Sequence, residues 1–305
     1  MSVDVDVVVV GAGPAGLAAS LNLARAQRRV ALLDSNRPRH AATLVSHGFL
    51  SRDGISPLEL RTLGREEVLA YPTVTYERTI VHSISPVPGG FVTVAKRPGN
   101  DEQTEVHSPA VLVATGLTEA LPLPSLVRPW YGTSLHSCMD CDGYDKRGQP
   151  LALIGETDDL AERALVIRRH TDDLVIFTNG VAEVSRDDEA RLGALGIAVE
   201  RTPIAALEGD REGMREVVLE DGRRSTRTGG FVRPRWHASI GFADLLGLDR
   251  DADGLVIVDG SQRTSVAGIY AAGDITPGFR QLAVAAGEGT IASSVINRDL
   301  IAAGR

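Results

Sequence analysis

The chain has 305 residues, 43% of them hydrophobic and 24% charged, the balance of a soluble globular protein long enough for two domains. A net charge of −8 argues against nucleic acid or an anionic membrane surface as partner. No apolar run approaches the roughly 18 residues of a bilayer span, and residues 1–6 lack a basic leader, so the expectation is a cytoplasmic enzyme.

Residues 5–10 form a β-branched run with the continuity of a strand buried on both faces. They run into Gly11-Ala12-Gly13-Pro14-Ala15-Gly16, followed by a helix predicted over residues 17–26 and a second strand over 30–33 that ends in Asp34. This is the order of a dinucleotide-binding βαβ unit. Gly11 permits the tight turn, Gly13 lets backbone approach a pyrophosphate, and Gly16 lets the helix pack on the sheet. The helix start offers free N–H groups to phosphate, and Asp34 is placed to accept ribose hydroxyls. Residues 86–106, with Gly89-Gly90 and Pro98-Gly99-Asn100, read as a hairpin meander.

The only cysteines are Cys138 and Cys141, in Cys138-Met139-Asp140-Cys141. A zinc site is excluded by the lack of a second C-x-x-C and of H-x₃₋₅-H, so the pair reads as a redox dithiol. His136, Asp140 and Asp142 are the candidate bases beside it. Farther on, residues 151–154 and 174–177 read as strands, 160–167 and 187–195 as helices, and 217–224 as a strand entering a turn at Asp221-Gly222.

These segments together, over residues 4–297, resemble the low-molecular-weight thioredoxin reductases. The resemblance implies an α/β fold of two Rossmann-like dinucleotide-binding domains, each a three-layer ββα sandwich, the second inserted in the first. The expected boundaries are 1–117 and 242–305 for an FAD domain and 118–241 for the inserted domain with the C-x-x-C. It also implies FAD as cofactor and a homodimer. Ala114-Thr115-Gly116 resembles the turn that closes the flavin domain, and Gly273-Asp274 the motif whose Asp holds the ribityl chain. Gln281 and Leu282 match the segment beside the flavin ring, and His47 would line the flavin or the substrate pocket. By the same resemblance Cys141 faces the flavin, Cys138 exchanges with substrate and Asp142 is the neighbouring acid–base group.

One segment departs from the pattern. Where a second glycine-rich turn should hold NADPH, the chain reads Gly155-Glu156-Thr157-Asp158-Asp159, with Thr157 or Asp158 the expected helix N-cap. A single glycine and three carboxylates make a poor pyrophosphate site. After the next strand stands Thr178-Asn179-Gly180, where the family places arginines for a 2′-phosphate. Residues 45–54 resemble instead the flavin-dependent dithiol oxidases that close the disulfides of gliotoxin and holomycin. The resulting expectation is oxidation of a small-molecule dithiol through Cys138 and Cys141, with FAD reoxidised by O2. The alternative is a thioredoxin reductase fed by ferredoxin or another donor.

Overall fold

The computed structural model describes residues 2–99 and 102–305, and the chain divides into two compact units. The first comprises residues 1–41, 48–118 and 237–305 and the second residues 42–47 and 119–236.

The first unit is built on a five-stranded parallel sheet in the order Ile269–Ala271, Ala110–Val113, Val7–Val10, Val30–Asp34, Val74–Arg78. All four residues of Val7–Val10 are buried, because both faces of this strand are covered. Val7 and Val9 pack with Leu17, Leu23, Ile296 and Leu300 from helices Pro14–Arg25 and Leu282–Ala302. Val8 and Val10 face the other way, onto Ile84, Phe91, Ala95 and Val106 of a four-stranded meander. The alternation of period two thus sorts one valine run into two cores. The meander contains Ile80–Val87, Gly90–Lys96 and Gln103–Ser108, with Ser2–Asp4 at its edge. Asn100, in the turn expected there, lies outside the described residues.

The second unit repeats this plan. Its parallel sheet runs Leu135–His136, Gly229–Arg233, Leu151–Gly155, Leu174–Phe177, Ala198–Glu200. Helices Leu160–Ile167 and Arg186–Ala194 cover one face through Leu160, Ala164, Ile167 and Leu192. The antiparallel strands Ile204–Asp210, Gly213–Leu219 and Arg224–Thr226 cover the other through Leu207, Met214 and Val217.

The return to the first unit falls at His237 rather than at 242. The reason is packing: Ile240, Ala243 and Leu246 are buried in the first unit's meander-side core. Residues 42–47 belong to the second unit, a crossing that the sequence pattern did not suggest. At Gly132, with φ +86°, a Cβ would stand 1.8 Å from the Ala42 carbonyl oxygen, so only glycine lets that segment pass.

Gly230 sits mid-sheet at φ +151°, and a Cβ there would meet the Ala152 carbonyl oxygen at 1.9 Å. Gly230→Ala should therefore destabilise the protein by about 2 kcal/mol or more, read as a fall in the midpoint of denaturant unfolding.

Candidate active site

The edge strand Leu135–His136 delivers Ser137 and then Cys138 to the start of a one-turn helix, Met139–Asp142. Cys138 is the N-cap, its sulfur 3.1 Å from the Cys141 backbone nitrogen, and the two cysteines are joined in a disulfide. Both are part-exposed, as exchange with a solvent-borne thiol requires. Gly143 closes the turn, because a Cβ there would lie 2.5 Å from both the Met139 carbonyl oxygen and His170 Nε2. Tyr131 braces the approach to Cys138, its hydroxyl donating to Glu119 at 2.6 Å and accepting from the Ser137 hydroxyl at 2.9 Å.

Next to the disulfide, His136 Nε2 stands 3.5 Å from Asp142 Oδ1, and both side chains are largely buried. Burial, and then the positive charge of Lys146, push the His136 imidazole down to about 4, against the raising effect of a Gly132 backbone hydrogen bond. Burial pushes the Asp142 carboxyl up to about 6, against the opposing charges of Lys146 and His47, with Asp145 adding to the rise. At neutral pH the pair is therefore a neutral imidazole beside a carboxylate whose affinity for a proton suits general base work. Of the three candidate bases, His136 and Asp142 meet at the dithiol, while Asp140 is exposed to solvent.

His47, expected to line the flavin or the substrate pocket, lies on the dithiol side. Its Nε2 is 3.0 Å from Asp145 Oδ2, within the dithiol unit.

In the first unit, the glycine turn has the shape its sequence predicts. Gly11 has φ +105°, and a Cβ on it would meet the Ala114 carbonyl oxygen at 2.4 Å. Gly13 is the N-cap of Pro14–Arg25 with no side-chain cap, and open space lies where its Cβ would point. The first N–H groups of that helix are thus left to an anion. A Cβ on Gly16 would lie 1.8 Å from the Gly11 carbonyl oxygen. Ala15 packs against Gly273 and Gly289, which brings the start of the last helix against the turn. Ala114 is buried, Gly116 takes φ +63°, and between them the Thr115 hydroxyl is buried without a partner. Asp274 accepts a 2.6 Å bond from Arg39, and Gln281 N-caps Leu282–Ala302.

Asp34 also has a structural role. It is buried, its Oδ1 accepting from the Ala12 backbone and its Oδ2 from Asn36 N and Arg61 Nη2, all at 3.0–3.1 Å. These bonds fix the turn, and Oδ1 keeps a second lone pair beyond them. Arg61 comes from helix Pro57–Leu69, which nothing in the sequence tied to this acid.

Residues 5–289 match the model of the pyridine nucleotide-disulphide oxidoreductases. The chain belongs to that family. Its fold matches TrxB from Bacillus anthracis at a TM-score of 0.91 and 37% identity, covering 99% of this chain and all of that one. HlmI matches at 0.90 and 35%, covering 98% and 93%. Among sequence relatives, the thioredoxin reductase sirT of Leptosphaeria maculans is 28% identical over 96% of this chain and 93% of its own length. The protein is accordingly a FAD-binding disulfide oxidoreductase. The open Gly13 face, the free helix start and the unpartnered Thr115 hydroxyl fit that cofactor.

The family's second nucleotide turn keeps its strand and helix, but protein side chains occupy it. Glu156 accepts from Asn179 Nδ2 at 2.9 Å, and Asp158 accepts from the Glu183 backbone at 3.0 Å. Asp159 accepts from Thr157, Arg163 and Arg233, each at 2.7 Å. Burial works to raise the Asp159 carboxyl, yet these three donors hold it near 2. Asp159, not Thr157 or Asp158, is the N-cap of Leu160–Ile167, and its side chain makes no cap bond. In the shallow cavity beyond, lined by Thr178, Gly180 and Arg201 among others, Arg201 is paired twice to Glu189.

Asp142→Asn should slow anaerobic flavin reduction by dithiothreitol about 10²-fold and abolish a rise in rate through pH 6, while Asp140→Asn leaves both unchanged; stopped-flow absorbance across pH checks this.

Proposed function

We propose that this disulfide oxidoreductase takes electrons from a small-molecule dithiol and closes it to an intramolecular disulfide, without a pyridine nucleotide. The reading rests on one observation: the carboxylates of Glu156, Asp158 and Asp159 fill the second turn and hold its Asn and Arg donors. A dinucleotide phosphate arriving there meets the like charge of three carboxylates, with Arg163, Arg233 and Asn179 already engaged by them. The C-x-x-C and the cradle of the first unit keep their chemistry. The resemblance of residues 45–54 to the flavin-dependent dithiol oxidases supports the same reading.

A substrate thiol loses its proton to the His136–Asp142 pair, and the thiolate attacks Cys138, breaking the Cys138–Cys141 bond and leaving Cys141 as thiolate. The second substrate thiolate then attacks the mixed disulfide. The substrate leaves with its two sulfurs joined, and both cysteines are reduced. Neutral imidazole and carboxylate are the states needed to accept the protons. FAD, when bound, supplies the two-electron acceptor that drains the cysteine pair and passes the electrons to O2 as H2O2.

Under anaerobic conditions excess dithiothreitol should bleach the flavin, and micromolar NADPH should leave it yellow. Bleaching by NADPH would sink the proposal. Under air, oxygen uptake with small cyclisable dithiols should exceed any with reduced thioredoxin, and Cys138→Ser should abolish it.

A further inference from the structure

Beyond the disulfide the chain keeps winding. Gly143 has helical dihedrals, φ −64° and ψ −38°, and its N–H donates to the Met139 carbonyl oxygen at 2.9 Å. Tyr144 therefore stands three helical positions beyond Cys141, its Cα about 5 Å from that of the cysteine. Turns follow in which Lys146 N donates to the Gly143 carbonyl and Arg147 N to that of Tyr144. Of the two cations here, Lys146 turns inward, its Nζ donating to the Ser134 carbonyl oxygen at 2.9 Å over Gly229. Arg147 stays exposed.

Two contacts hold Arg147 in place. Its Cζ lies 4.1 Å from the centre of the Tyr144 ring, and its Nη1 donates to the Tyr144 carbonyl oxygen at 2.8 Å. Nε and Nη2, an edge of the fork that matches a carboxylate, make no hydrogen bond among the described residues. Other exposed arginines of this unit, Arg201, Arg215, Arg223 and Arg224, each pair with acids. The acids beside Arg147 are committed elsewhere, Asp142 to His136 and Asp145 to His47, and the exposed Asp140 forms no pair with it. Tyr144 is 68% exposed, and Leu44, at 71%, belongs to the segment that His47 ties to the same turn. Apolar surface and a fixed, unclaimed guanidinium thus stand in the unit that carries the redox pair.

We propose that Tyr144 and Arg147 form a recognition site for a carboxylate on the substrate, so that the preferred dithiol is a small acid whose sulfurs reach Cys138 and Cys141 while its carboxylate takes the Nε–Nη2 edge. The inference rests on the reading of the substrate as a small-molecule dithiol. A preorganised fork loses little freedom on binding, and charge-assisted bidentate bonds are the strong ones. The stack on Tyr144 supplies the preorganisation, and the exposed ring and Leu44 offer apolar surface to the chain between acid and sulfurs.

Dihydrolipoate and its neutral amide, dihydrolipoamide, carry the same dithiol on the same alkyl chain and differ only at the acid group. Oxygen uptake under air gives kcat/KM for each, and their ratio within one enzyme cancels any loss of folded or flavin-loaded protein. The wild-type ratio should be about 10 in favour of the acid at low ionic strength and fall towards 1 in about 0.5 M salt. In Arg147→Gln it should be near 1, and in Tyr144→Leu, where the fork loses its support, about 3. A wild-type ratio near 1 overturns this site and leaves the oxidase reading standing. So does failure to oxidise dihydrolipoate while dithiothreitol is oxidised, or a ratio near 10 that survives in Arg147→Gln, in Tyr144→Leu or in high salt. Oxidation of neither probe, nor of dithiothreitol, overturns the oxidase reading and this inference with it.

Discussion

The carboxylate of Asp159, held at 2.7 Å by both Arg163 and Arg233, is the interaction from which the functional reading of this molecule follows. It ties the helix Leu160–Ile167 to the end of strand Gly229–Arg233 across the place where a phosphate would need backbone donors. The surviving Gly155 belongs to the same lock. A Cβ there would meet Leu160 Cδ2 at 2.6 Å and Arg233 Cβ at 2.9 Å, so the glycine serves helix packing. This turn therefore keeps the strand and helix of a nucleotide site and closes them with an internal ion pair.

The two units make this comparison internal to the chain. Both have a five-stranded parallel sheet, helices on one face and antiparallel strands on the other. In the first, Gly13 caps its helix with open space ahead of it; in the second, the equivalent end is crowded by Glu156, Asp158 and Asp159. The same layered plan thus supports one turn left open and one filled by its own carboxylates. A fold of this kind places a loop at a strand end, and the loop's residues alone decide what is bound there.

Much of the layered architecture was legible because it depends on local periodicity. The expected strand 174–177 and helix 160–167 coincide with Leu174–Phe177 and Leu160–Ile167, where apolar runs and turn residues are adjacent in sequence. The carboxylate-filled turn was also legible, since three acids in five residues stand out. What the sequence did not show depended on partners distant in the chain. The Arg61 bond to Asp34 comes from a helix with no motif of its own. The Asp145 partner of His47 comes from a turn far along the chain. Lys146 left a compositional trace, being one of two lysines, but its inward course depends on the absent side chain of Gly229. Arg39, which bonds Asp274 across most of the sequence, left no trace at all.

The course of residues 42–47 bears on modularity. Most of the dithiol unit is one continuous stretch, residues 119–236, which invites treating it as a portable cassette. Yet His47, whose charge is felt at Asp142, arrives from a short excursion of the other unit's chain. A transplanted 119–236 segment would carry both cysteines, His136, Asp142 and Lys146 but arrive with Asp145 unpaired and Asp142 a weaker acid. Recombination that shuffles such domains by cutting at their obvious edges would thus conserve the redox pair and detune its proton chemistry. That would favour inheritance of the two units together.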